Sequence, residues 1–197
     1  MAKAQPVMGL DAAASSRSSL PVMFAIRISE LWGWAEHMPF PHRVRELHDM
    51  RIAAKRLRYL FEFFAPCFDP EFKANLKQFK RLQDYLGEIH DCDVWVVYLR
   101  RQLRDAFREL NGRRKALKQY AGADPELKHA ADELARELAN GPVQGLLMML
   151  GDVVERRDRL YGELLEFWAE LEQSGFRAKL TQAVAQAASE EPEIQEG

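Results

Sequence analysis

A row of basic and histidine side chains recurs at helical spacing in the segment 42–65. His48, Arg51, Lys55, Arg58 and Tyr59 are separated by three, four, three and one residues. At 100° per residue these five side chains, here called the basic stripe, fall on one arc about 100° wide. Arginine forms forked hydrogen bonds with phosphate and lysine supplies a point charge, so the row suits a chain of phosphates.

The competing interpretation of the basic stripe is an ordinary solvated helix face. An exposed face usually mixes charges of opposite sign at positions i and i+4, which stabilises the helix. The stripe instead contains three like charges that repel one another, at Arg51, Lys55 and Arg58. The only opposite charge at i+4 spacing is Glu62, which can pair with Arg58. Because this repulsion costs free energy unless an anion is bound there, the spacing favours an anion-binding surface.

A second segment, 70–87, extends the theme. Its lysines lie about one helical turn apart at Lys73, Lys77 and Lys80. Gln83 on the same helix can hydrogen-bond an anion or a neighbouring helix. We interpret Asp91 as a helix N-cap, whereas His90 is either a hydrogen-bonded structural residue or a ligand.

The overall charge hides an uneven distribution. The 197 residues carry a formal net charge of −2, which taken alone argues against a polyanionic partner. Yet residues 42–118 contain 18 Lys and Arg but only 11 Asp and Glu. Residues 119–197 contain 7 Lys and Arg and 16 Asp and Glu. A basic middle beside an acidic C-terminal third is a recognised hint of polyanion binding.

Another basic run follows on the chain. It consists of Arg100, Arg101, Arg104, Arg108, Arg113, Arg114, Lys115 and Lys118. Cations near the C-terminus of a helix are stabilised by its dipole, so we interpret this run as a solvated helix end. It could also extend a track for phosphates.

The hydrophobic periodicity predicts helices throughout, since no segment shows sustained alternation of period two. Helices are expected over 21–38, 42–65, 69–87, 90–111, 124–140 and 143–173. Gly87 is expected to cap or kink its helix and Asn111-Gly112 to end the next one. The predicted fold is an all-α antiparallel bundle of about six helices, two of them long. Residues 1–20 are expected to be a disordered lead, 21–181 a helical domain and 182–197 an acidic disordered tail.

Membrane, secretory and disulfide signals are not found. No apolar run approaches the roughly 18–20 residues of a membrane helix, and the N-terminus lacks the apolar core of a signal peptide. Cys67 and Cys92 form neither a disulfide framework nor a cysteine-rich zinc site. We therefore expect a cytoplasmic protein with no membrane segment and no cofactor.

Three stretches carry a resemblance to a known family. HDMRIAAKRLRYLFEFF (48–64), LKQFKRLQDYLGEIHDCDV (76–94) and the later GLLMMLGDVVERRDRLYGELLEFWAEL resemble the CHAD family, the conserved histidine α-helical domain. The resemblance covers roughly residues 22–180. It implies an all-α domain that binds inorganic polyphosphate in a basic, histidine-containing groove, and a location at polyphosphate granules. The sequence also lacks a Gly-rich phosphate loop, a triad-like serine context and a Glu-x-Glu-x-Lys signature, so we expect binding without catalysis.

The family motif also implies which residues contact the ligand. Carried over by position, the polyphosphate-binding residues are His48, Arg51, Lys55, Arg58, Tyr59, Lys77, Lys80, Gln83 and His90. Arg56 and Lys73 are weaker candidates. The resemblance implies no catalytic residue and no metal ligand.

One departure from the family concerns its internal repeat. Typical members contain two related helical halves, each with its own histidine and basic stripe. This chain contains one, and it looks like the second half. A homodimer could supply the missing half by two-fold symmetry.

An enzyme is one alternative. His48-Asp49, His90-Asp91 and Asp93 are similar to the metal-binding set of helical HD-type phosphohydrolases, which hold divalent cations. Against this hypothesis, Asp49 falls on the side of its helix opposite Arg51 and Lys55, and dense cations weaken metal binding.

A nucleic acid is the other alternative partner, because any phosphate chain is attracted electrostatically. The stripe, however, carries Tyr59 as its one aromatic residue and has no platform on which bases could stack. The missing stacking platform speaks against nucleic acid, and the CHAD resemblance implies inorganic polyphosphate instead.

Overall fold

The computed structural model describes residues 3–10, 17–69, 72–122 and 124–189. Over these residues the chain forms six α-helices and no strand. They are α1 (Leu20–Trp32), α2 (Val44–Phe63), α3 (Phe72–Ala121), α4 (Pro125–Asn140), α5 (Pro142–Gln173) and α6 (Phe176–Ser189). The predicted all-α bundle is confirmed. The two long helices were expected over 42–65 and 143–173, whereas the longest two are α3 and α5.

Helix α3 differs most from the prediction, because it runs for 50 residues where two helices were expected. Neither Gly87 nor Gly112 ends or caps it, and neither has a positive φ. A glycine inside a helix costs only about 1 kcal/mol, which the continuing backbone hydrogen bonds outweigh. Asp91, predicted as an N-cap, is an exposed residue within α3.

The predicted start of α4 matches the structure, whereas the predicted start of the C-terminal tail does not. Asp124 caps α4 as predicted, since its carboxylate accepts hydrogen bonds from the backbone N–H groups of Glu126 and Leu127. Residues 182–189, predicted as the start of a disordered tail, continue α6, which buries Val184 and Ala187. The remainder of that predicted tail, 190–197, lies outside the described residues.

Part of the expected N-terminal lead makes defined contacts. The backbone N–H of Gln5 donates to the Glu30 carboxylate on α1. The Arg27 guanidinium donates to the Gln5 carbonyl over 3.1 Å and pairs with Glu30 at 2.8 Å. These contacts attach the segment 3–10 to α1.

The chain divides into two compact units. Unit 1 comprises residues 1–90 and 160–197, and unit 2 comprises residues 91–159. Helices α3 and α5 each contribute to both.

In unit 1, α1 packs against α2 and α6. Its apolar positions recur every three or four residues, which produces one buried face. Phe24 on that face packs on Phe61 of α2 with ring centroids 4.6 Å apart. At the C-terminal end of α1, the ring centroids of Trp32 and Trp168 are 5.5 Å apart. The Trp32 Nε1–H donates to the Glu172 carboxylate over 2.6 Å. This aromatic core fixes the face that α2 presents to solvent.

Unit 2 has a smaller core. Its buried aliphatic side chains, among those described, are Leu99, Leu103, Ala131 and Val143. A buried ion pair joins its helices, because Arg157 of α5 donates from Nε to Asp93 of α3 over 2.5 Å.

A membrane-spanning helix was sought among the described residues, and none of their helices is sufficiently long and apolar to be one.

Candidate anion-binding surface

Helix α2 turns its apolar positions into the core of unit 1 and its basic stripe away from that core. Leu47, Met50, Leu57 and Phe61 are buried. The imidazole and the three cations of the stripe are half-buried, and Tyr59 is 55% exposed. Half-burial anchors the long basic side chains along the helix while their charged ends remain accessible.

A histidine pair links the start of the stripe to α3. The Nδ1 atoms of His48 and His90 are 3.2 Å apart, and the ring centroids are 4.6 Å apart. A hydrogen bond between two imidazole nitrogens needs one donor and one acceptor, so one Nδ1 carries a hydrogen and the other does not. The pair therefore fixes both rings beside each other at the start of the stripe.

The antiparallel packing of α2 and α3 in unit 1 explains why these histidines meet. Phe61 near the end of α2 packs on Phe72 and Phe79 in the first part of α3, with centroids 5.0 and 6.1 Å apart. Going back along α2 and forward along α3 from these contacts leads to residues 48 and 90. The spacing within α2 alone contains no signal for this contact.

The far end of the stripe is partly neutralised. Arg58 Nε lies 3.2 Å from the Glu62 carboxylate, and its guanidinium lies 5.1 Å from the Tyr59 ring centroid. The ion pair is poorly aligned, because Arg58 Nε is buried without a hydrogen-bond partner among the described residues. A half-exposed pair of this kind contributes at most about 1 kcal/mol, so an anion can displace Glu62.

The middle of the stripe has uncompensated positive charge. Within the described part of the chain, Arg51 and Lys55 have no carboxylate within 4 Å. At 1.5 Å of rise per residue, the stretch from Arg51 to Arg58 covers about 10 Å of helix. The surface thus presents a line of cations rather than a single anion pocket.

Helix α3 adds a polar side chain with unused hydrogen-bonding capacity. Gln83 is 9% exposed, and neither its amide nitrogen nor its amide oxygen has a partner among the described residues. Leaving such a group unsatisfied costs about 1–3 kcal/mol of folding free energy. Lys80, one turn earlier, is exposed.

Comparison with protein families places this surface in a known context. The family model described as the CHAD domain matches residues 3–100. Residues 3–100 belong to the CHAD domain family. The match covers about half of the chain and includes the whole basic stripe, Gln83 and His90. Neither the curated proteins nor the solved structures include a match to the chain.

Some residues implied by the CHAD resemblance lie elsewhere in unit 1. Lys77 lines a groove between α3 and α5 with Arg81 and Glu170. Arg56, a weaker candidate, lines a separate cavity that also contains Glu30. For Lys73, the other weaker candidate, the side chain lies outside the described part of the chain.

Arg81 belongs to the groove rather than to the stripe of the CHAD domain. It donates to the Tyr85 hydroxyl over 3.1 Å and lies 4.5 Å from the Phe167 ring centroid. The hydrogen bond with Tyr85 raises the pKa of the Arg81 guanidinium above its ordinary value. Arg81 therefore stays charged at every physiological pH and contacts α5.

The carboxylates required by the metal-site hypothesis have other surroundings. Asp49 is buried, and Asp93 is engaged by Arg157. Among the described residues no three His, Cys, Asp or Glu side chains converge as metal ligands.

Proposed function

We propose that this CHAD domain binds inorganic polyphosphate along the basic stripe without hydrolysing it. The observation that carries the proposal is the line of half-buried cations on α2, in which Arg51 and Lys55 have no carboxylate within 4 Å among the described residues. The CHAD family is associated with polyphosphate binding, which supports the same assignment.

Each part of the surface has a chemical role in this proposal. Arg51 donates forked hydrogen bonds to phosphate oxygens, and Lys55 supplies a charge that tolerates several ligand geometries. The His48–His90 pair gains a donor when it takes up a proton. Positive charge that is already held on a rigid helix loses little side-chain entropy when the ligand binds.

Residues of α3 and the C-terminal end of the stripe complete the proposed contacts. The exposed Lys80 and Lys77 add long-range attraction. The Gln83 amide atoms are buried, so this side chain contacts a phosphate only when it turns outward. Arg58 and Tyr59 bind the ligand once Glu62 has been displaced. A surface that binds without activating water suits targeting to polyphosphate granules or scaffolding there.

The proposal includes a homodimer. The chain contains one basic stripe where typical family members have two, and a second copy related by a two-fold axis would add another. Two linked stripes bind a long chain more tightly than either stripe does alone.

The central test removes the two uncompensated cations. Arg51→Ala combined with Lys55→Ala should weaken binding of long-chain polyphosphate by well over tenfold, because each charge-assisted contact contributes about 1.5–3 kcal/mol. Binding is measured by fluorescence anisotropy with labelled polyphosphate, and helicity by circular dichroism.

A matched control removes the same charge elsewhere. Lys128→Ala with Arg136→Ala takes one lysine and one arginine from exposed positions of α4, and it should change the affinity less than threefold. Equal losses in both double variants would show that net charge, rather than the stripe, determines binding.

A titration in EDTA separates binding from metal-dependent hydrolysis. Tight binding that survives chelation and weakens steeply with salt is expected, since phosphate contacts release counterions. Release of orthophosphate that requires Mg²⁺ or Mn²⁺ would contradict the non-catalytic assignment.

A further inference from the structure

The second basic run of the chain begins inside α3 and not at its end. Helix α3 continues to Ala121, so Arg100, Arg101, Arg104 and Arg108 lie more than three turns before its last residue. The helix dipole stabilises cations only within the last turn. The expectation that this run is a solvated helix end therefore does not account for these four arginines.

Positive charge in this part of α3 exceeds the negative charge beside it. Residues 100–118 contain eight Lys and Arg but only two Asp and Glu. Asp105 lies 4.0 Å from Arg101 and 3.4 Å from Arg108, so two guanidinium groups share one carboxylate. Within the described residues Arg104 has no carboxylate within 4 Å. Because Arg104 and Arg108 are like charges at i and i+4, they destabilise the helix unless an anion is bound there.

Two aromatic rings precede these arginines along the same side of α3. Trp95, Tyr98, Arg101 and Arg104 follow one another at intervals of three residues, at which side chains are neighbours with Cβ atoms about 5–6 Å apart. The rings of Trp95 and Tyr98 have centroids 5.6 Å apart and are nearly perpendicular. Both rings are about half exposed, and both arginines are exposed. We call these four residues the aromatic-arginine ridge.

The ridge is small for a protein interface and basic throughout its second half. Two half-exposed rings offer roughly 200 Å² of apolar surface, whereas each partner in a standard interface buries roughly 800 Å². Stacking of a flat base uses only one face of a ring, and phosphates complement the charge of the arginines. Area and charge therefore favour a partner that carries both rings and phosphates.

We propose that the aromatic-arginine ridge binds single-stranded nucleic acid. Proteins that bind single strands combine a basic surface that follows the phosphates with aromatic side chains on which the bases stack. Trp95 and Tyr98 supply the rings of such a site, and Arg101 and Arg104 supply the phosphate contacts. In a duplex the base faces are already stacked on one another, so a single strand is the form that the rings can reach.

This inference goes beyond polyphosphate binding and does not depend on it. The ridge belongs to unit 2, whereas the basic stripe belongs to unit 1 and offers no platform for bases. Polyphosphate has no rings, so the ridge attracts it through charge alone. An abasic oligomer, which keeps the sugar-phosphate chain and lacks the bases, isolates the contribution of stacking.

The experiment compares two labelled probes by fluorescence anisotropy. The unmodified chain should bind a short single-stranded oligothymidylate at least tenfold more tightly than an abasic oligomer of the same length. Trp95→Ala with Tyr98→Ala should remove this preference, because each stacked base strengthens binding by at least about fivefold. The same variant should bind the abasic oligomer as the unmodified chain does, and circular dichroism establishes that it is folded.

Matched controls act on rings at other places and on the ridge itself. Phe40→Ala with Phe63→Ala removes two exposed rings of unit 1 and should leave the preference unchanged. Trp95→Phe retains a ring on the ridge, so it should keep most of the preference while losing most of the tryptophan quenching that oligothymidylate causes.

Two outcomes of this comparison would overturn the inference. One is a preference for oligothymidylate that persists in Trp95→Ala with Tyr98→Ala. The other is equal binding of the two oligomers by the unmodified chain, which would assign the ridge to an acidic protein instead.

Salt dependence tests the arginines of the ridge. Arg101→Ala with Arg104→Ala should weaken binding of both oligomers and lower the slope of log affinity against log salt by about 1.4, since each phosphate contact on a single strand contributes about 0.7. Lys128→Ala with Arg136→Ala removes equal charge from α4 and should change the slope less. Equal changes in both variants would contradict the phosphate contacts of the ridge.

The stripe variant distinguishes this inference from the proposed function. Arg51→Ala with Lys55→Ala should lose affinity for polyphosphate and keep the preference for oligothymidylate over the abasic oligomer. If the preference is lost as well, the bases are recognised in unit 1 and the ridge is not the site. If the preference remains and polyphosphate affinity is unchanged, the proposed function is refuted and the ridge stands.

Discussion

The histidine pair shows how two common residues acquire a special property through one contact. In the sequence, His48 and His90 each have the pattern of an ordinary polar residue on a helix. With their Nδ1 atoms 3.2 Å apart, they share one hydrogen bond, which only one of the two rings donates. A polyphosphate bound beside the pair as proposed would favour a positively charged ring, so ligand binding and proton uptake would be coupled.

The coupling leads to a prediction on pH. Histidine changes charge between about pH 8 and pH 5, and the protonated pair attracts phosphate together with Arg51 one turn away. Polyphosphate affinity should rise by at least about tenfold over this range, which corresponds to one added charge-assisted contact. Isothermal titration at constant ionic strength measures it.

The matched variants are His48→Gln with His90→Gln, which should flatten the pH profile, and His129→Gln on the exposed face of α4, which should leave it unchanged. A profile that stays steep without His48 and His90 would assign the titration to another group.

At the residue scale the sequence predicted the stripe and not its surroundings. The stripe depends only on the 3.6-residue period of α2, so its geometry follows from spacing. The contact between His48 and His90, the orphaned amide of Gln83 and the position of Lys77 beside α5 depend on how helices pack. That register is set by contacts such as Phe61 on Phe79, which local spacing does not encode.

At the scale of the elements, α3 shows that the packing of buried residues on one helix face can override a glycine that would otherwise end the helix. Glycine and Asn-Gly are good markers of helix ends when the neighbouring residues favour a turn. Gly87 lies instead between buried residues of one face, Leu86 and Ile89, whose packing requires continued helix. Asp124 succeeds as a marker because a proline follows it and its carboxylate caps the next helix.

Gly87 therefore offers a test of helix continuity. Gly87→Ala should raise the free energy of unfolding by about 0.5–1 kcal/mol, because alanine reduces the backbone entropy lost on folding. Gly175→Ala is the control, since its φ of +66° penalises a side chain, and this change should destabilise the protein by about 1–2 kcal/mol. Urea unfolding followed by circular dichroism checks both, and a destabilised Gly87→Ala would mean that the helix bends there.

The ion pair between α3 and α5 in unit 2 makes a stronger prediction. Arg157→Ala leaves the Asp93 carboxylate buried without its partner and should lower the free energy of unfolding by about 3–5 kcal/mol. Replacing both residues by leucine removes the stranded charge and should restore most of the stability. If the double variant has as low a free energy of unfolding as Arg157→Ala, the stranded Asp93 charge is not the cause of the destabilisation.

At the scale of the whole molecule, the two units differ in how much apolar surface each buries for itself. Unit 1 has an aromatic core built from α1, α2 and α6, whereas the described residues of unit 2 contain few buried side chains and one buried ion pair between helices. Local stability follows buried contacts, so the units should open with different free energies.

Hydrogen exchange tests this difference. Amide protection should be lower in residues 91–159 than in α1 and α2, because the described part of unit 2 buries fewer side chains. Equal protection in both units would contradict the expected difference in local stability.

The ion pair between Arg58 and Glu62 has a consequence for ligand length. Glu62 is a competitor tethered to the same helix, so its effective concentration at Arg58 is in the millimolar range or above. A free orthophosphate ion makes one contact with Arg58, and to bind it must displace the Glu62 carboxylate, which is present at this high local concentration. A polymer already held by Arg51 and Lys55 brings its own next phosphate at a comparable local concentration. Under the proposed function, Glu62 would therefore exclude single phosphates from Arg58, whereas longer chains would displace it by avidity.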